Sequence, residues 1–191
     1  MVHPKPVLKK SKIWMGTGNR NKVQEASEIL AEYGIALEHY PMNRVEIQAD
    51  DPADIAAYSL REVPADIPIA IEDAGLFIDG FNGFPGPYSS YVLERLGNPG
   101  ILKLMEGVAD RGARYLSAVA YRDETGVHVF RGAVEGTIAD RIRGSNGFGY
   151  DPIFIPSELD GRTFGEASEE EKNRVSHRAR AFRALAEWLT E

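Results

Sequence analysis

Short apolar runs alternate with helical patterns along the whole of this 191-residue chain, and this alternation restricts the fold more than any other feature. No repeat, low-complexity stretch or linker interrupts it. The predicted strands cover 12–15, 67–71, 115–122 and 127–134, and the predicted helices cover 22–33, 52–60, part of 91–105 and the C-terminal segment after a capping Ser176. We therefore predict one α/β domain over 1–191 with a mixed β-sheet flanked by helices, and we treat 1–11 as a candidate disordered extension.

Composition and charge narrow the class of protein further. The chain has no cysteine, which excludes disulfides, thiolate metal sites and a cysteine nucleophile. Its apolar runs are shorter than the roughly 20 residues that span a bilayer, and its basic N-terminal segment lacks the apolar part of a signal peptide. The net charge of -7 disfavours a broad nucleic-acid surface but allows a small anionic ligand. We therefore expect a cytoplasmic protein that binds neither nucleic acid nor membrane.

The segment GSNGFGYDPIF at 144–154 combines glycines with aromatic and acidic residues within a few positions. Its glycines allow the backbone to approach a ligand closely, while Phe148, Tyr150 and Asp151 offer two rings and a carboxylate. This combination predicts a pocket for a planar polar heterocycle. The alternative is that Phe148 is an ordinary core residue.

Two other segments supply the donors that an anionic ligand requires. GTGNRNK follows an apolar run and opens a helix, so free backbone N–H groups, the positive helix end and Lys22 would attract an anion. It lacks the glycine spacing of a P-loop or dinucleotide fingerprint, and the alternative is an ordinary turn with a solvated lysine. EEKNRVSHR contributes Lys172, His177 and Arg178, although a histidine after a serine cap is more often a plain helix-end residue. Together the segments suggest a nucleotide whose base and phosphates are held at different places.

Two adjacent carboxylates, Glu72 and Asp73, follow the buried run IPIAI, and functional groups of an α/β sheet usually lie at such strand ends. Neighbours on a strand point to opposite faces, so we expect only one of the two to face a cleft. If a divalent cation is bound there, Glu46 in RVEIQ is a candidate to complete a site of oxygen ligands. The alternative is a pair of turn acids, one capping a helix and one solvated.

Taken together, these segments resemble one family over nearly the whole chain. TGNRNK, the EIQ around Glu46, EDAGLFID, GFPGPYSS, GFGYDPIF and EEKNRVSHRARA occur in the order and spacing of the inosine triphosphate pyrophosphatase family, also called XTP/dITP diphosphatases. The resemblance implies an elongated α/β fold with two lobes around a nucleotide cleft, and a homodimer. It also implies Mg2+-dependent hydrolysis of the non-standard purine nucleotides ITP, dITP and XTP to the monophosphate and pyrophosphate, which cleanses the nucleotide pool.

The resemblance assigns roles to individual residues of this chain. Asp73 would be the catalytic carboxylate and would bind Mg2+ together with Glu46. Donors from His177 and Arg178 would pair with a 6-oxo purine and be left unpaired by adenine, which is a strong basis for discrimination. The substrate-binding set implied in this way is Thr17, Gly18, Asn19, Arg20, Asn21, Lys22, Ala74, Phe148, Gly149, Tyr150, Asp151, Lys172, His177 and Arg178.

Two departures from the family pattern bear on rate. Ala74 stands where members often carry a serine that contacts the nucleotide, and a lysine common in the preceding helix has only Arg61 as its nearest counterpart. One alternative function is therefore a binding module with weakened catalysis, and another is a pyrophosphatase for pyrimidine or other modified nucleotides. Pyrophosphate release across a panel of nucleotides separates these alternatives.

Overall fold

The structure, a computed structural model, describes residues 11–191, and the strands of that range form one seven-stranded sheet. The strands are β1 (Lys12–Thr17), β2 (Ala36–Pro41), β3 (Ile69–Ile78), β4 (Pro85–Gly86), β5 (Gly112–Asp123), β6 (Gly126–Ile138) and β7 (Phe154–Pro156). Their order is β2-β1-β3-β5-β6-β7, with β4 paired to β3 off this path. Because β1 is parallel to β2 and β3 while β3, β5, β6 and β7 pair antiparallel, the predicted mixed sheet is confirmed.

Helices flank this sheet as the sequence predicts, with α4 in addition to the four predicted helices. They are α1 (Arg20–Ala31), α2 (Pro52–Ser59), α3 (Ser89–Leu104), α4 (Glu169–Val175) and α5 (His177–Thr190). The predicted cap of the last helix is confirmed, since the Ser176 side chain accepts a hydrogen bond from Ala179 N. α1 begins earlier than predicted, because the Asn19 side chain accepts from Asn21 N and caps the helix there.

The strand predicted to end at Glu72 continues, so the predicted strand end was wrong. β3 runs through Glu72 and Asp73 to Ile78, and each residue of the strand has a partner on β5. The two acids therefore lie in mid-strand, not at a strand end. They still point to opposite faces, as the alternation of a strand requires.

The apolar core is divided along β3, and the acids lie at the division. At the start of the strand, Ala70 packs on α1 and α5, whereas Ile69 and Ile71 pack on α2 from the other face. At its end, Leu76 and Ile78 pack with α3 and the 150–167 region. Glu72 and Asp73 lie between these core regions, so two buried acids replace apolar side chains in the middle of β3.

Two further segments, 35–48 and 1–11, carried predictions from the sequence. The stretch predicted to be extended over 35–48 forms β2 and then continues without regular structure past Arg44 and Glu46. Of the candidate extension over 1–11, residues 1–10 lie outside the described residues, and Ser11 O accepts a hydrogen bond from Ala36 N. Within 11–191, no helix is both long and apolar enough to cross a bilayer.

Candidate active site

A cleft with a volume of about 470 Å³ opens where β1, β3, α1, α3 and the 148–151 loop meet. Small-molecule sites are commonly of this size. The predicted residues that line it are Thr17, Gly18, Asn19, Lys22, Glu46, Asp73, Ala74, Phe148, Gly149, Tyr150, Asp151, Lys172, His177 and Arg178. Arg20 and Asn21 do not line it: Arg20 lines a shallow surface pocket with His39, and Asn21 lines a separate small cavity.

The turn from β1 into α1 forms one end of the cleft. Thr17 Oγ1 accepts a hydrogen bond from Asn19 N at 3.0 Å, which orders the turn. Lys22 lies in the first turn of α1, where the helix end carries partial positive charge. Its Nζ pairs with Glu72 Oε2 at 2.7 Å, so the ammonium is fixed beside β3.

Glu72 lies beneath this end of the cleft and has no solvent exposure. Its Oε1 accepts hydrogen bonds from Ser117 Oγ at 2.8 Å and from Arg178 Nε at 3.1 Å. Burial acts to raise the pKa of Glu72, but Arg178 and Lys22 outweigh it and hold the pKa well below its usual value. Glu72 is therefore an ionised structural partner, and Asp73 is the acid that faces the cleft, as the strand geometry predicts.

Asp73 has a different environment on the opposite face of β3. Its Oδ1 accepts a hydrogen bond from Arg44 Nη2 at 2.7 Å, and its Oδ2 is buried without a hydrogen-bond partner among the described residues. Burial raises the pKa of Asp73 to about 6, with Lys22 and Arg44 opposing the shift and Glu72 and Glu46 reinforcing it. A carboxylate of this pKa is suited to accept a proton near neutral pH.

The oxygens of Glu46 and Asp73 fit a divalent cation by their chemistry. Arg44 Nη2 donates to Glu46 Oε1 at 2.9 Å as well as to Asp73, so the two carboxylates converge on one positive group. Within 11–191, no three His, Cys, Asp or Glu side chains form a ready-made metal cluster. Carboxylate oxygens are nevertheless the type of ligand that Mg2+ prefers, and Asp73 Oδ2 has no hydrogen-bond partner among the described residues.

The 144–151 loop forms the other end of the cleft, and within it the backbone at Gly147 lies close to the Asp151 side chain. Gly147 has a φ of 71°, and a Cβ at this position would lie 2.1 Å from Asp151 Oδ2, so a side chain cannot be accommodated. The same oxygen accepts a hydrogen bond from Phe148 N at 2.8 Å. The Tyr150 hydroxyl donates a hydrogen bond to Ser89 O at 2.8 Å, which fixes the position of the ring. The loop is therefore fixed before any ligand arrives.

Buried ion pairs connect this loop to α1, α4 and α5. Lys172 Nζ pairs with Asp151 at 2.7 Å and with Glu25 at 2.6 Å, and Glu25 also pairs with Arg178. The Phe148 ring lies near both cations, 4.7 Å from Lys172 Nζ and 5.3 Å from Arg178 Cζ. Arg178 uses Nε and Nη1 in these pairs, while Nη2 has no partner within 11–191.

His177 is a buried cleft residue and not a solvated helix end. Its ring stacks on Tyr115 with 4.3 Å between centroids and 4° between planes. Burial and the neighbouring Arg178 hold the pKa of His177 well below its usual value, so the imidazole is neutral. Its Nδ1 is buried without a partner among residues 11–191 and is available to a ligand.

The charged residues at the site that were not predicted from the sequence include Arg44 and Glu25, together with Glu94, which lines the cleft from α3. Arg44 bridges Glu46 and Asp73, and its position two residues before Glu46 in an extended segment was the available signal. Glu25 pairs with Lys172 and Arg178, and its spacing of three from Lys22 on one helix face was the signal there. Arg61 does not line the cleft and instead lies 4.8 Å from the Tyr58 ring.

Comparison with known sequences matches the chain to the Ham1 family over residues 13–188. A protein of Methanopyrus kandleri named dITP/XTP pyrophosphatase is 48% identical over 180 residues, covering 93% of this chain and 95% of that protein. One of Saccharolobus solfataricus with the same name is 46% identical over 180 residues, covering 93% of each.

Solved structures agree with the sequence matches. A HAM1 protein from Coxiella burnetii superposes with a TM-score of 0.80 at 29% identity and covers 94% of this chain and 98% of that one. A nucleoside-triphosphatase, dITP/XTP pyrophosphatase, from Mycobacterium abscessus gives a TM-score of 0.70 at 33% identity, with 91% and 98% covered. The fold expected from the resemblance is therefore confirmed.

Proposed function

This chain belongs to the Ham1 family, and on that premise we propose that it hydrolyses dITP, XTP and ITP to the nucleoside monophosphate and pyrophosphate. The observation that carries the proposal is the composition of one cleft. One end joins two carboxylates to a helix N-terminus with a lysine, and the other joins an aromatic ring to fixed hydrogen-bonding groups. Such a cleft is suited to a ligand with phosphates at one end and a planar base at the other.

The phosphate end would hold the leaving pyrophosphate and the cation. We assign Mg2+ to Glu46 and Asp73, and when bound it would neutralise charge on the phosphate oxygens. Lys22, with Thr17, Gly18 and Asn19 of the turn, would bind phosphate oxygens, and Arg20 and Asn21 would contribute through the helix end at most. One electrostatic donor of this kind typically lowers a barrier by about 3 to 4 kcal/mol.

Asp73 would act on the attacking water. Water attacks the α-phosphorus, the bond from that phosphorus to the bridging oxygen breaks, and pyrophosphate leaves with the electron pair. Asp73 would orient the water and accept its proton, a role supported by the position of its carboxylate in the cleft and, in the metal-free protein, by a pKa of about 6. Ala74 follows it on β3 without a hydroxyl, so that contact to the nucleotide would be absent.

The loop end would read the base. Phe148 would stack on the purine, with Gly149, Tyr150 and Asp151 lining the pocket and Lys172 holding Asp151 in place. Arg178 Nη2 and the neutral His177 would hydrogen-bond the base edge. A 6-oxo group accepts from these donors, whereas the amino group of adenine leaves them unpaired, which can cost on the order of 10⁴ in kcat/KM.

We also propose that the chain acts as a homodimer of a single domain in the cytoplasm. Exposed apolar side chains at 84–96, among them Phe84, Tyr88 and Tyr91, offer a surface that a second copy could cover. Light scattering after size-exclusion chromatography would give the mass. A monomer at micromolar concentration would contradict the dimer.

The experiment that tests the function is pyrophosphate release from ITP, XTP, dITP, GTP, ATP and dTTP with and without Mg2+. We expect turnover of ITP, XTP and dITP that requires the metal, and much less turnover of ATP and dTTP. Activity unchanged in excess EDTA would contradict the metal assignment. A preference for dTTP would contradict the proposed substrate class, and so would the absence of hydrolysis with every nucleotide.

A further inference from the structure

Arg44 lies between the two carboxylates that the proposed function assigns to a cation. Its Nη2 donates to Asp73 Oδ1 at 2.7 Å and to Glu46 Oε1 at 2.9 Å. Its Nε also donates to Glu46 at 3.1 Å, and its Nη1 donates to the Glu72 carbonyl at 3.0 Å. The Arg44 side chain is only 10% exposed, so the guanidinium is a fixed partner of both acids and not a solvated surface group.

The charges around this guanidinium are already distributed between defined partners. Lys22, the other cation close to Asp73, pairs with Glu72. Among the described residues, Arg44 is therefore the cation that forms ion pairs with both Glu46 and Asp73, while Lys22 acts on Asp73 through space from its own ion pair with Glu72. A divalent cation on the same oxygens would lie against the guanidinium, and like charges at contact distance in a buried site repel strongly.

We propose that Arg44 is a resident cation that competes with the divalent cation for the Glu46–Asp73 carboxylate pair. The inference rests on the proposed function, which assigns the metal to Glu46 and Asp73. It adds that the metal must displace Arg44 from these carboxylates. Metal binds as the guanidinium leaves, and the freed guanidinium becomes available to phosphate oxygens, which it can hold with two parallel hydrogen bonds. Metal alone therefore binds weakly, and metal with nucleotide binds better.

The test measures metal binding without nucleotide, so that turnover plays no part in the readout. Free Mn2+ is followed by electron paramagnetic resonance during titration of the native protein, Arg44→Gln and Arg131→Gln. Arg131 pairs with Asp51 outside the cleft, so its variant is a matched control for the loss of one positive charge. We expect Arg44→Gln to bind Mn2+ about tenfold more tightly, the factor that one charge-assisted hydrogen bond supplies, and Arg131→Gln to match the native protein.

Equal or weaker Mn2+ binding by Arg44→Gln would overturn the inference. If that variant does not fold by circular dichroism, Arg44→Lys is titrated instead. It keeps the charge but not the forked donors, so we expect its affinity to exceed the native one by a smaller factor, and native affinity would again overturn the inference.

A direct readout on the native protein is the Arg44 Nε–H resonance, assigned by its absence from Arg44→Lys. Addition of Mg2+ should shift this signal and speed its exchange with water, while the Arg111 Nε–H signal should stay, because Arg111 Nε donates to Ile138 O at 2.8 Å away from the cleft. An Arg44 signal unmoved at saturating Mg2+ overturns the inference. Neither the Mn2+ titration nor the arginine resonance depends on pyrophosphate release. A failure to release pyrophosphate would therefore count against the proposed function and not against this inference.

Discussion

Glu72 and Asp73 are neighbours on one strand, yet the regions that they face differ in how completely charge is paired. On the Glu72 side, ion pairs run from Lys22 through Arg178 and Glu25 to Lys172 and Asp151 with little exposure. On the Asp73 side, one guanidinium serves two acids, one oxygen has no partner within 11–191, and the Glu46 side chain is 50% exposed.

This difference separates stability from function. Burial raises the pKa of Asp73 to about 6, so this acid costs free energy when it ionises in the fold, whereas the cations beside Glu72 lower its pKa. The Glu72 side is therefore built before a ligand arrives and fixes the groups that we propose to read the base. The Asp73 side keeps unsatisfied charge that a ligand can satisfy, at a cost in stability.

The largest effect should come from breaking the Glu72 side. Glu72→Gln leaves Lys22 and Arg178 without their shared buried anion, which should lower the free energy of unfolding by about 3 to 5 kcal/mol at pH 7.5. Thermal and urea unfolding measure it. Glu38→Gln, which removes a half-exposed partner of Lys12, is the matched control and should change stability by less than about 1 kcal/mol.

The pH dependence of that loss provides a second check. Because the folded pKa of Glu72 lies below its ordinary 4.5, its contribution is complete above pH 4.5 and disappears as pH falls further. The difference between native protein and Glu72→Gln should therefore shrink below pH 4.5. A difference that stays constant with pH would contradict the role given to charge.

The next effect should come from the Asp73 side and should appear in activity. Asp73→Asn is nearly isosteric but removes the charge that the proposed chemistry uses, so kcat for ITP should fall by at least roughly 10². Steady-state kinetics with Mg2+ measure it, with circular dichroism to confirm folding. A near-normal kcat would move the catalytic role from Asp73 to another group.

The same comparison explains what the sequence could predict. Local patterns are sufficient for β1, the Ser176 cap and the Gly-rich loop, because apolar periodicity, capping and glycine act within a few residues. The predicted end of β3 was wrong because two acids after an apolar run resemble a turn. Their charge is in fact balanced by Lys22, Arg44 and Arg178, which come from distant segments.

The candidate site shows the same limit more sharply. Motifs indicate which residue types meet, and most of the predicted residues do line one cleft. They do not indicate which cation pairs with which acid, so they point to Arg61 and not to Glu25 or Arg44. Pairing depends on the approach of elements far apart in the chain, and a single sequence does not contain that information.

A smaller effect concerns the stability of Asp73→Asn in metal-free protein. A folded pKa raised from 3.8 to about 6 means that the contribution of Asp73 is present below pH 3.8 and is lost as pH rises through 6. The asparagine variant should therefore be more stable than the native protein by about 1 to 3 kcal/mol at pH 7.5. Urea unfolding in EDTA should show this gain vanishing near pH 4. Destabilisation at pH 7.5 would contradict the free-energy cost that we assign to the ionised Asp73.

Arg178→Lys should have an effect of about one order of magnitude, on selectivity more than on rate. The ammonium can still pair with Glu25 but cannot reproduce the fork that holds Glu72 and leaves Nη2 free. We expect the ratio of kcat/KM for ITP to that for ATP to fall roughly tenfold. A parallel loss on both nucleotides would assign Arg178 to phosphate binding and leave His177 or backbone groups to read the base.

Phe148→Leu should give the smallest effect, and it tests whether the loop end reads a ring face as well as ring edges. The Phe148 ring lies against Lys172 and Arg178, so its position depends on the ion pairs of the Glu72 side. Leucine retains apolar contact but loses the flat face, and base–aromatic stacking is worth about 1 to 3 kcal/mol. We expect the loss in kcat/KM to correspond to about 1 kcal/mol of transition-state free energy for ITP and XTP alike. Stacking does not depend on the 2-position of the base. Phe130→Leu, at a half-buried ring outside the cleft, is the matched control. A loss confined to one of the two nucleotides would show that Phe148 acts by shaping the edge contacts, and the loop would then read the base through Arg178 and His177 only.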